Sequence, residues 1–245
     1  MVDIRKEMSA KLKLISVNIE RERHLSEVVP FLSAEKPDVV CLQELRERDI
    51  PEIERALNAH CVFTPMLIRG GMVEGIGICT ALPVQNAVSY QYAGSKELIP
   101  YDTTNSDTKR KSQKYTLSAC EIEKDGTIFT IATTHFPWTP DGQASDLQRT
   151  ALQALLETVK PLNEFVLCGD FNAPRGREIF AELAKQFKDN IPSHYITSLD
   201  KNLHKAGELK YVVDGLFTTP GVAASDVKLH FGVSDHAAVV ATITV

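Results

Sequence analysis

The stretch FVLCGDFN, residues 165–172, joins a short apolar run to a polar end and is the most informative stretch in the chain. Its first residues are continuous and apolar rather than helically periodic, which predicts a buried strand. Asp170 and Asn172 follow directly. In α/β proteins, the residues just beyond the carboxyl ends of strands border the crevice in which ligands bind. The stretch therefore predicts a strand that delivers two polar side chains to a site.

Similar apolar runs recur along the chain, at Leu12–Val17, Val39–Leu42, Ile76–Thr80 and Phe129–Thr133. Amphipathic patterns typical of helices occur between them, at residues 24–34, 49–60, 145–160 and 176–187. Two further predicted strands, near 84–92 and 114–123, have no helix between them and the next strand. This order favours an α/β (α+β) fold with mixed sheets covered by helices over an all-parallel doubly wound sheet.

No Pro/Ser-rich linker divides the chain, so we expect a single domain over residues 12–245 after an N-terminal tail over residues 1–11. The stretch 93–114 is polar and almost without helical periodicity, which predicts a long loop. We expect this loop to border the site and contribute to substrate choice. Its basic residues would then meet a polyanion; the alternative is a solvated loop face. These residues are Lys109, Arg110, Lys111 and Lys114.

Composition excludes several classes of protein. The 245 residues carry 27 Lys and Arg against 32 Asp and Glu, a net charge of −5, which disfavours nucleic-acid or membrane binding through overall charge. No apolar run approaches the length of about 18 residues that a membrane span needs, and the charged N-terminus does not resemble a secretory signal. The five cysteines contain no Cys-x-x-Cys pair and mostly lie in apolar runs, which predicts buried free thiols. We therefore expect a cytoplasmic protein.

Polar side chains follow or begin several of the predicted strands. They are Asn18, Glu44, His135, Asp170, Asn172, Asp214, Asp235 and His236. Taken singly, each is compatible with an ordinary strand-end charge, turn or cap. Taken together, an oxygen-rich set placed after so many strands predicts one site rather than independent accidents.

Carboxylates and carboxamides without a cysteine or paired-histidine ligand pattern are hard oxygen ligands, and they suit Mg²⁺ or Mn²⁺. The adjacent Asp235 and His236 suggest a division of labour, with the carboxylate on the metal and the imidazole handling a proton. Asp214 would hold the other ring nitrogen of His236 and fix its tautomer.

In their order along the chain, these motifs resemble the endonuclease/exonuclease/phosphatase superfamily, which has the DNase I-like fold. The resemblance rests on Asn18, Gln43–Glu44, His135 in TTHF, GDFN at 169–172, Asp214 in VDGLF and SDH at 234–236. It extends from residue 12 to residue 244. It implies a two-sheet mixed β-sandwich flanked by helices, with the site at one edge of the sheets. It also implies that residues 12–245 form a catalytic domain that hydrolyses a phosphate ester with Mg²⁺ or Mn²⁺.

Carried over residue by residue, the resemblance implies Glu44 as the main metal ligand, with Asn18 and Asp235 nearby. Glu20 departs from the Asp or Arg often found at its position, which leaves its reach to the metal open. Among the implied catalytic residues, Asp170 would orient or activate water and Asn172 would hold the phosphate. His135 would contact the phosphate or assist the leaving group, and Asp214 would orient His236. Asp170 and His236 both remain candidates for the base.

The residues around His135 bear on the branch within the superfamily. His135–Phe136–Pro137–Trp138 stands where AP endonucleases carry a Tyr-containing motif, which disfavours that branch. The histidine is similar to the DNase I, sphingomyelinase and tyrosyl-DNA phosphodiesterase branches. We expect a monomeric phosphodiesterase acting on a phosphate ester, either a small molecule or a nucleic acid. The alternatives are a nuclease or DNA-end-processing enzyme, and a non-catalytic binding module on the same fold.

Overall fold

The computed structural model of the protein describes residues 10–245, so the predicted N-terminal tail lies outside the described residues except for Ala10 and Lys11. Within that range, twelve strands form two mixed six-stranded sheets flanked by helices, as predicted. The strands are β1 Leu12–Asn18, β2 Val39–Arg46, β3 His60–Arg69, β4 Met72–Thr80, β5 Val84–Gly94, β6 Lys114–Lys124, β7 Thr127–His135, β8 Val166–Asp170, β9 Lys188–Asp189, β10 Asp214–Thr218, β11 Ala223–His230 and β12 Ala238–Thr244. The α-helices are α1 Leu25–Glu35, α2 Ile50–Leu57, α3 Ser106–Lys111, α4 Asp146–Val159 and α5 Glu178–Gln186.

The two sheets have the same arrangement of strands at their centres. The first has the strand order β11-β12-β1-β2-β4-β3, and the second has the order β5-β6-β7-β8-β10-β9. In each sheet one central pair is parallel, β1 with β2 and β7 with β8, and the remaining pairs are antiparallel. The parallel pairs are joined by crossovers that contain α1 and α4 respectively, because parallel neighbours cannot be joined by a tight turn.

The hydrophobic core lies between the sheets and under the helices. Leu14 and Val239 of the first sheet pack with Ile131 and Leu216 of the second in one buried cluster. A second cluster packs α4 and α5 on the outer face of the second sheet, and a third packs α1 and α2 on the first. The central strands are therefore buried on both faces, which explains why they read as continuous apolar runs.

The start of α4 fixes the loop that follows β7. Ser145 caps the helix. Its hydroxyl accepts a hydrogen bond from the backbone N–H of Gln148 at 3.2 Å, and the side-chain oxygen of Gln148 accepts one from the backbone N–H of Ser145 at 3.3 Å. The side-chain amide of Gln148 also donates to the Pro137 carbonyl at 2.7 Å. The helix cap thus holds the His135–Phe136–Pro137 turn in place.

Two expectations need correction. Cys61 and Cys79 lie directly opposite each other on β3 and β4 and form a disulfide, so the prediction of free thiols is wrong for this pair. Cys41, Cys120 and Cys168 are free and buried, as predicted. The stretch 93–114 is not entirely loop, because it contains α3, capped by the Asn105 side chain. No helix among residues 10–245 combines the length and the apolar character required to cross a membrane.

Candidate active site

The edge where the parallel strands end brings the two sheets' polar residues together. Asn18 ends β1, and Asp170, which ends β8, lies beside His135 at the end of β7. The Asn18 side-chain amide donates to the Asp170 carboxylate at 3.1 Å, which links the first sheet to the second. His135 Nε2 lies 3.5 Å from the same carboxylate oxygen. The ends of three strands therefore converge on one carboxylate.

Asp214 and His236 form a buried pair beside Asp170. Asp214 begins β10 directly opposite Asp170, and its carboxylate lies 2.9 Å from His236 Nδ1. His236 Nε2 points to the other side, 3.8 Å from Asp170 Oδ2. Ser198 supports the pair because its hydroxyl accepts the backbone amide of Asp214 at 3.2 Å.

The charges of this pair are set by its surroundings. Burial disfavours a charged imidazole, but the carboxylates of Asp214, Asp170 and Asp235 outweigh it and raise the pKa of His236 well above its ordinary value. Burial also raises the pKa of Asp214, against the opposing effect of His236. Carboxylates flank the ring on both sides, so the arrangement favours an imidazolium.

Asn172 closes a tight turn after β8. Its backbone is left-handed, with φ of 49°, a conformation that asparagine tolerates better than most residues. Its amide donates to Asp170 Oδ1 at 2.8 Å, and its side-chain nitrogen donates to the Phe136 carbonyl at 3.0 Å. Both oxygens of Asp170 therefore accept hydrogen bonds, which holds the carboxylate in one orientation.

Glu44 does not follow the end of β2, as the sequence predicts, but lies inside the strand. The pairing of β2 with β4 shifts register between Leu42 and Leu45, and Glu44 has φ of 55°. Such a bulge re-aims a side chain out of the regular alternation. Burial raises the pKa of Glu44, but the charges of His135, Arg21 and other cations outweigh it and lower the pKa below its usual range. The Glu44 carboxylate is therefore a stable anion that points into the site.

Sequence reasoning missed a further buried carboxylate, Glu74 on β4. Its Oε1 accepts a hydrogen bond from Arg69 Nη2 at 3.1 Å, and its Oε2 forms an ion pair with Arg69 Nε at 3.0 Å. The guanidinium of Arg69 stacks over Tyr101 at 4.3 Å. Burial and the nearby Glu44 raise the pKa of Glu74, while Arg69 opposes this. A glutamate inside the otherwise apolar run of β4 is the only sequence signal that could have marked it.

Among residues 10–245, two groups bring carboxylate and imidazole atoms within 4.8 Å of one another, close enough to share a metal ion. They are Glu20, His24 and Asp235, and Asp170, Asp214 and His236. Hydrogen bonds already engage the second group, since Asn18 donates to Asp170 and His236 pairs with Asp214. The first group lies beside Glu44: burial raises the pKa of Asp235, His236 opposes the rise, and the charges of Glu20 and Glu44 add to it.

The carboxylates Glu20 and Glu44 fit a hard cation. Their oxygens already hold a positive group, the guanidinium of Arg21, at 3.1 and 2.5 Å respectively. This guanidinium is a stand-in for a cation at carboxylates that would otherwise repel each other. Oxygen donors in this arrangement are the ligands that Mg²⁺ and Mn²⁺ prefer.

All eight predicted site residues come together. Six line one cavity of about 540 Å³: Glu44, His135, Asp170, Asn172, Asp235 and His236. Asn18 and Asp214 lie behind it and bond to Asp170 and His236. The cavity is acidic at this end and basic at the rim, where Lys109 and Arg110 of α3 line it together with the exposed Trp138. The segment predicted to border the site does line the cavity, and its role in substrate choice stays a prediction.

The family model of the endonuclease/exonuclease/phosphatase family matches residues 15–236. No curated protein matches the chain.

Several solved structures share the fold. The endonuclease/exonuclease/phosphatase from Bacteroides vulgatus superimposes with a TM-score of 0.72 and is 15% identical, over 96% of this chain and 99% of that chain. ANGEL2, a 2′,3′-cyclic phosphatase, has a TM-score of 0.73 at 14% identity, over 96% of this chain and 95% of its own. A humanized TDP2 from D. rerio has a TM-score of 0.70 at 18% identity, over 96% and 99% respectively.

Proposed function

Because the chain belongs to the endonuclease/exonuclease/phosphatase family, we propose that it is a Mg²⁺- or Mn²⁺-dependent phosphoric ester hydrolase, and specifically a phosphodiesterase. One observation carries the proposal. The Asp214–His236 pair, the fixed carboxylate of Asp170 and the anionic Glu44 meet at one cavity. In-line attack of water on a phosphate ester needs a group that accepts the proton of the water, and it needs positive charge close to the phosphoryl oxygens.

We assign the metal to Glu44 and Asp235, with Glu20 beside them. A bound divalent cation would neutralise the charge on the phosphoryl oxygens. Asn18 acts through its neighbours in this proposal, because its side-chain nitrogen donates to Asp170 and its oxygen accepts the Glu20 amide at 3.0 Å. Asn18 would thereby keep Glu20, beside the metal, at a fixed distance from Asp170, which would bind the water.

Asp170 and His236 take different roles. Each oxygen of Asp170 already accepts one hydrogen bond, which leaves the remaining lone pairs of an aligned carboxylate to orient a water and accept its proton. His236, held between Asp214 and Asp170, would donate to the phosphate. His135 Nε2 lies 3.5 Å from the same Asp170 oxygen and would contact the phosphate or the leaving oxygen. Asn172 would add a polar contact to the phosphate.

A metal-dependent activity screen tests the proposal. The purified protein is assayed with Mg²⁺, Mn²⁺ or excess EDTA on bis-p-nitrophenyl phosphate, single- and double-stranded DNA, RNA and phospholipid head groups. Adenosine 2′,3′-cyclic phosphate is added because one structural neighbour is a 2′,3′-cyclic phosphatase. Asp170→Asn serves as the inactive control.

We expect hydrolysis of at least one diester that EDTA abolishes. Full activity in excess EDTA would reject the metal mechanism. Substrate binding without turnover under every metal condition would instead favour a binding module. Preference for DNA or RNA would identify the nuclease alternative. Cytoplasmic location and the monomeric state stay predictions from the sequence.

A further inference from the structure

Arg21 contacts two of the carboxylates that the proposed function places at the metal site. Its guanidinium contacts Glu44 Oε2 at 2.5 Å through Nη1 and Glu20 Oε1 at 3.1 Å through Nη2. The side chain is only 14% exposed, so solvent screens these contacts weakly. One buried cation thus bridges two carboxylates of the candidate metal site.

The backbone is specially shaped to place this guanidinium. Glu20 and Arg21 both have left-handed conformations, with φ of 43° and 67°. Such conformations are unfavourable for residues with a Cβ, and two in succession persist only where the surroundings hold them. The bond from the Glu20 amide to Asn18 is one such restraint. Arg21 is therefore directed at the carboxylates and does not reach them by chance from a flexible surface loop.

A guanidinium and a divalent cation cannot both make direct contact with Glu44 Oε2 or with Glu20 Oε1, the two oxygens that Arg21 engages. Mg²⁺ and Mn²⁺ bind carboxylates by direct contact with the oxygen atoms, and two cations at the same oxygens repel each other. The same pairing also removes the cost of burying Glu44 as an unpaired anion, whereas Glu20 has Arg23 as a second partner. The metal-free protein is stabilised by the contact that a metal would have to displace.

We propose that Arg21 is an internal counter-cation that holds the Glu20–Glu44 carboxylates in the metal-free protein and competes with the divalent ion for them. The inference rests on the proposed function, since it assumes that these carboxylates bind a metal. It adds that metal occupancy is limited by the strength of the Arg21 pairing. Arg21 is thus a positioning residue that sets how much free metal the protein needs.

The test is titration calorimetry of the full-length, metal-free protein with MnCl₂ at fixed ionic strength, without substrate. Arg21→Gln removes the competitor, and Arg21→Lys keeps the charge without the two-pronged contact. Arg23→Gln is the matched control: Arg23 lies on the same turn and contacts Glu20 at 3.0 Å, but is 58% exposed. Melting temperatures in EDTA and in MnCl₂ are measured for each protein.

If the pairing is formed in about nine-tenths of the metal-free molecules, Arg21→Gln should bind Mn²⁺ about ten-fold more tightly than the wild type. Its melting temperature in EDTA should fall, and its gain on adding MnCl₂ should exceed that of the wild type. Arg21→Lys should be intermediate, and Arg23→Gln should stay close to the wild type.

The failures are distinguishable. Equal Mn²⁺ affinities of the wild type and a folded Arg21→Gln or Arg21→Lys protein would overturn the inference and leave the metal site intact. Equal increases in Mn²⁺ affinity in Arg21→Gln and Arg23→Gln would also overturn it, because the change in net charge alone would then explain the affinity. Absence of Mn²⁺ binding in the wild type and in every variant would overturn the proposed metal site itself.

Discussion

Glu44 illustrates how single residues build this site. In a regular strand, neighbouring side chains point to opposite faces of the sheet, so Gln43 and Glu44 could not both point inward. The bulge in β2 allows both to point inward: Gln43 donates to Thr133 of the other sheet at 3.0 Å, and Glu44 reaches the cavity. One irregular position thus serves both the contact between the sheets and the candidate metal site.

Glu44→Gln should leave the fold intact while weakening metal binding, because a neutral amide is a poor anchor for a hard cation. We expect turnover to fall on the order of 10²-fold or more. Calorimetry with MnCl₂ and kcat on the best substrate of the screen measure the two effects. Glu47→Gln, an exposed change three residues away, is the control. Unchanged Mn²⁺ affinity in Glu44→Gln would contradict the assignment.

His236→Ala should lower kcat by at least about 10²-fold, the contribution typical of a fixed hydrogen-bond donor to the charge that develops in the transition state. Asp214→Asn should lose part of the same effect, because the carboxylate holds the ring through Nδ1. The double variant should be far from additive, since the two residues act as one unit. His230→Ala, an exposed histidine on β11, should leave kcat unchanged. Fully additive losses would show that Asp214 and His236 work separately.

At the scale of single elements, β8 is shaped by Gly169 of the GDFN motif. Its φ is 135°, and a Cβ there would lie 2.0 Å from the carbonyl oxygen of Thr134 on β7. The glycine thus allows the close parallel pairing that places Asp170 beside His135. Its role is steric, and the chemistry of the motif belongs to Asp170 and Asn172.

Gly169→Ala should therefore destabilise the protein by about 3 kcal/mol or more, from backbone strain and overpacking together. Gly176→Ala separates the two causes. Gly176 has φ of 83° but no heavy atom within 4 Å of a built Cβ, so we expect only the backbone cost of about 1–2 kcal/mol. Urea unfolding gives both values. Equal losses would show that contact with Thr134 contributes nothing.

Helix α3 divides the basic cluster of the sequence into two kinds of residue. Lys109 and Arg110 line the cavity. Lys111 instead pairs with Asp107 at 2.7 Å and is largely exposed, and Lys114 begins β6. The first two can therefore meet a substrate, and Lys111 is a matched control on the same helix.

Replacing Lys109 and Arg110 together by Ser should weaken binding of a polyanionic substrate. Each lost phosphate contact should reduce the slope of log affinity against log salt by about 1. Binding is measured over a range of KCl concentrations with the preferred substrate, using an EDTA-treated protein to prevent turnover. Lys111→Ser should leave the slope unchanged. If the double variant behaves like Lys111→Ser, the basic residues form only a solvated face.

At the scale of the whole molecule, the site depends on two sheets packed through one core. The contact of Asn18 with Asp170 crosses from one sheet to the other, and so does the contact of Gln43 with Thr133. The buried cluster that contains Leu14 and Ile131 also joins the two sheets. Packing between the sheets thus sets the spacing of the candidate catalytic side chains.

Ile131→Ala should cost about 2–5 kcal/mol of unfolding free energy, because Ile131 is fully buried between the sheets. Ile128→Ala lies on the same strand, where Ile128 is 45% exposed, and should cost less than about 0.5 kcal/mol. Urea denaturation compares the two. Similar losses would mean that the space between the sheets collapses readily around a missing side chain.

Much of this protein could be read without its structure. The apolar runs and amphipathic periods predict the central strands and the helices α1, α2, α4 and α5, because burial on both faces or on one face leaves a local pattern. The eight polar residues could be found for the same reason, because they follow or begin apolar runs or, like Asp214 in VVDGLF, interrupt one.

Contacts between distant segments left no such pattern. The pairing of Cys61 with Cys79 depends on the register of β3 and β4, and the position of Glu44 depends on a bulge that has no local signature. In the sequence, Arg21 and Glu74 look like ordinary charged residues. Only the sheet order, in which β1 and β4 flank β2, brings them to the site. Their partners are set by packing across the sheet, because ion pairs and bulges depend on residues that are close in space and distant in sequence. The periodicity of a sequence shows only which face of each element is buried.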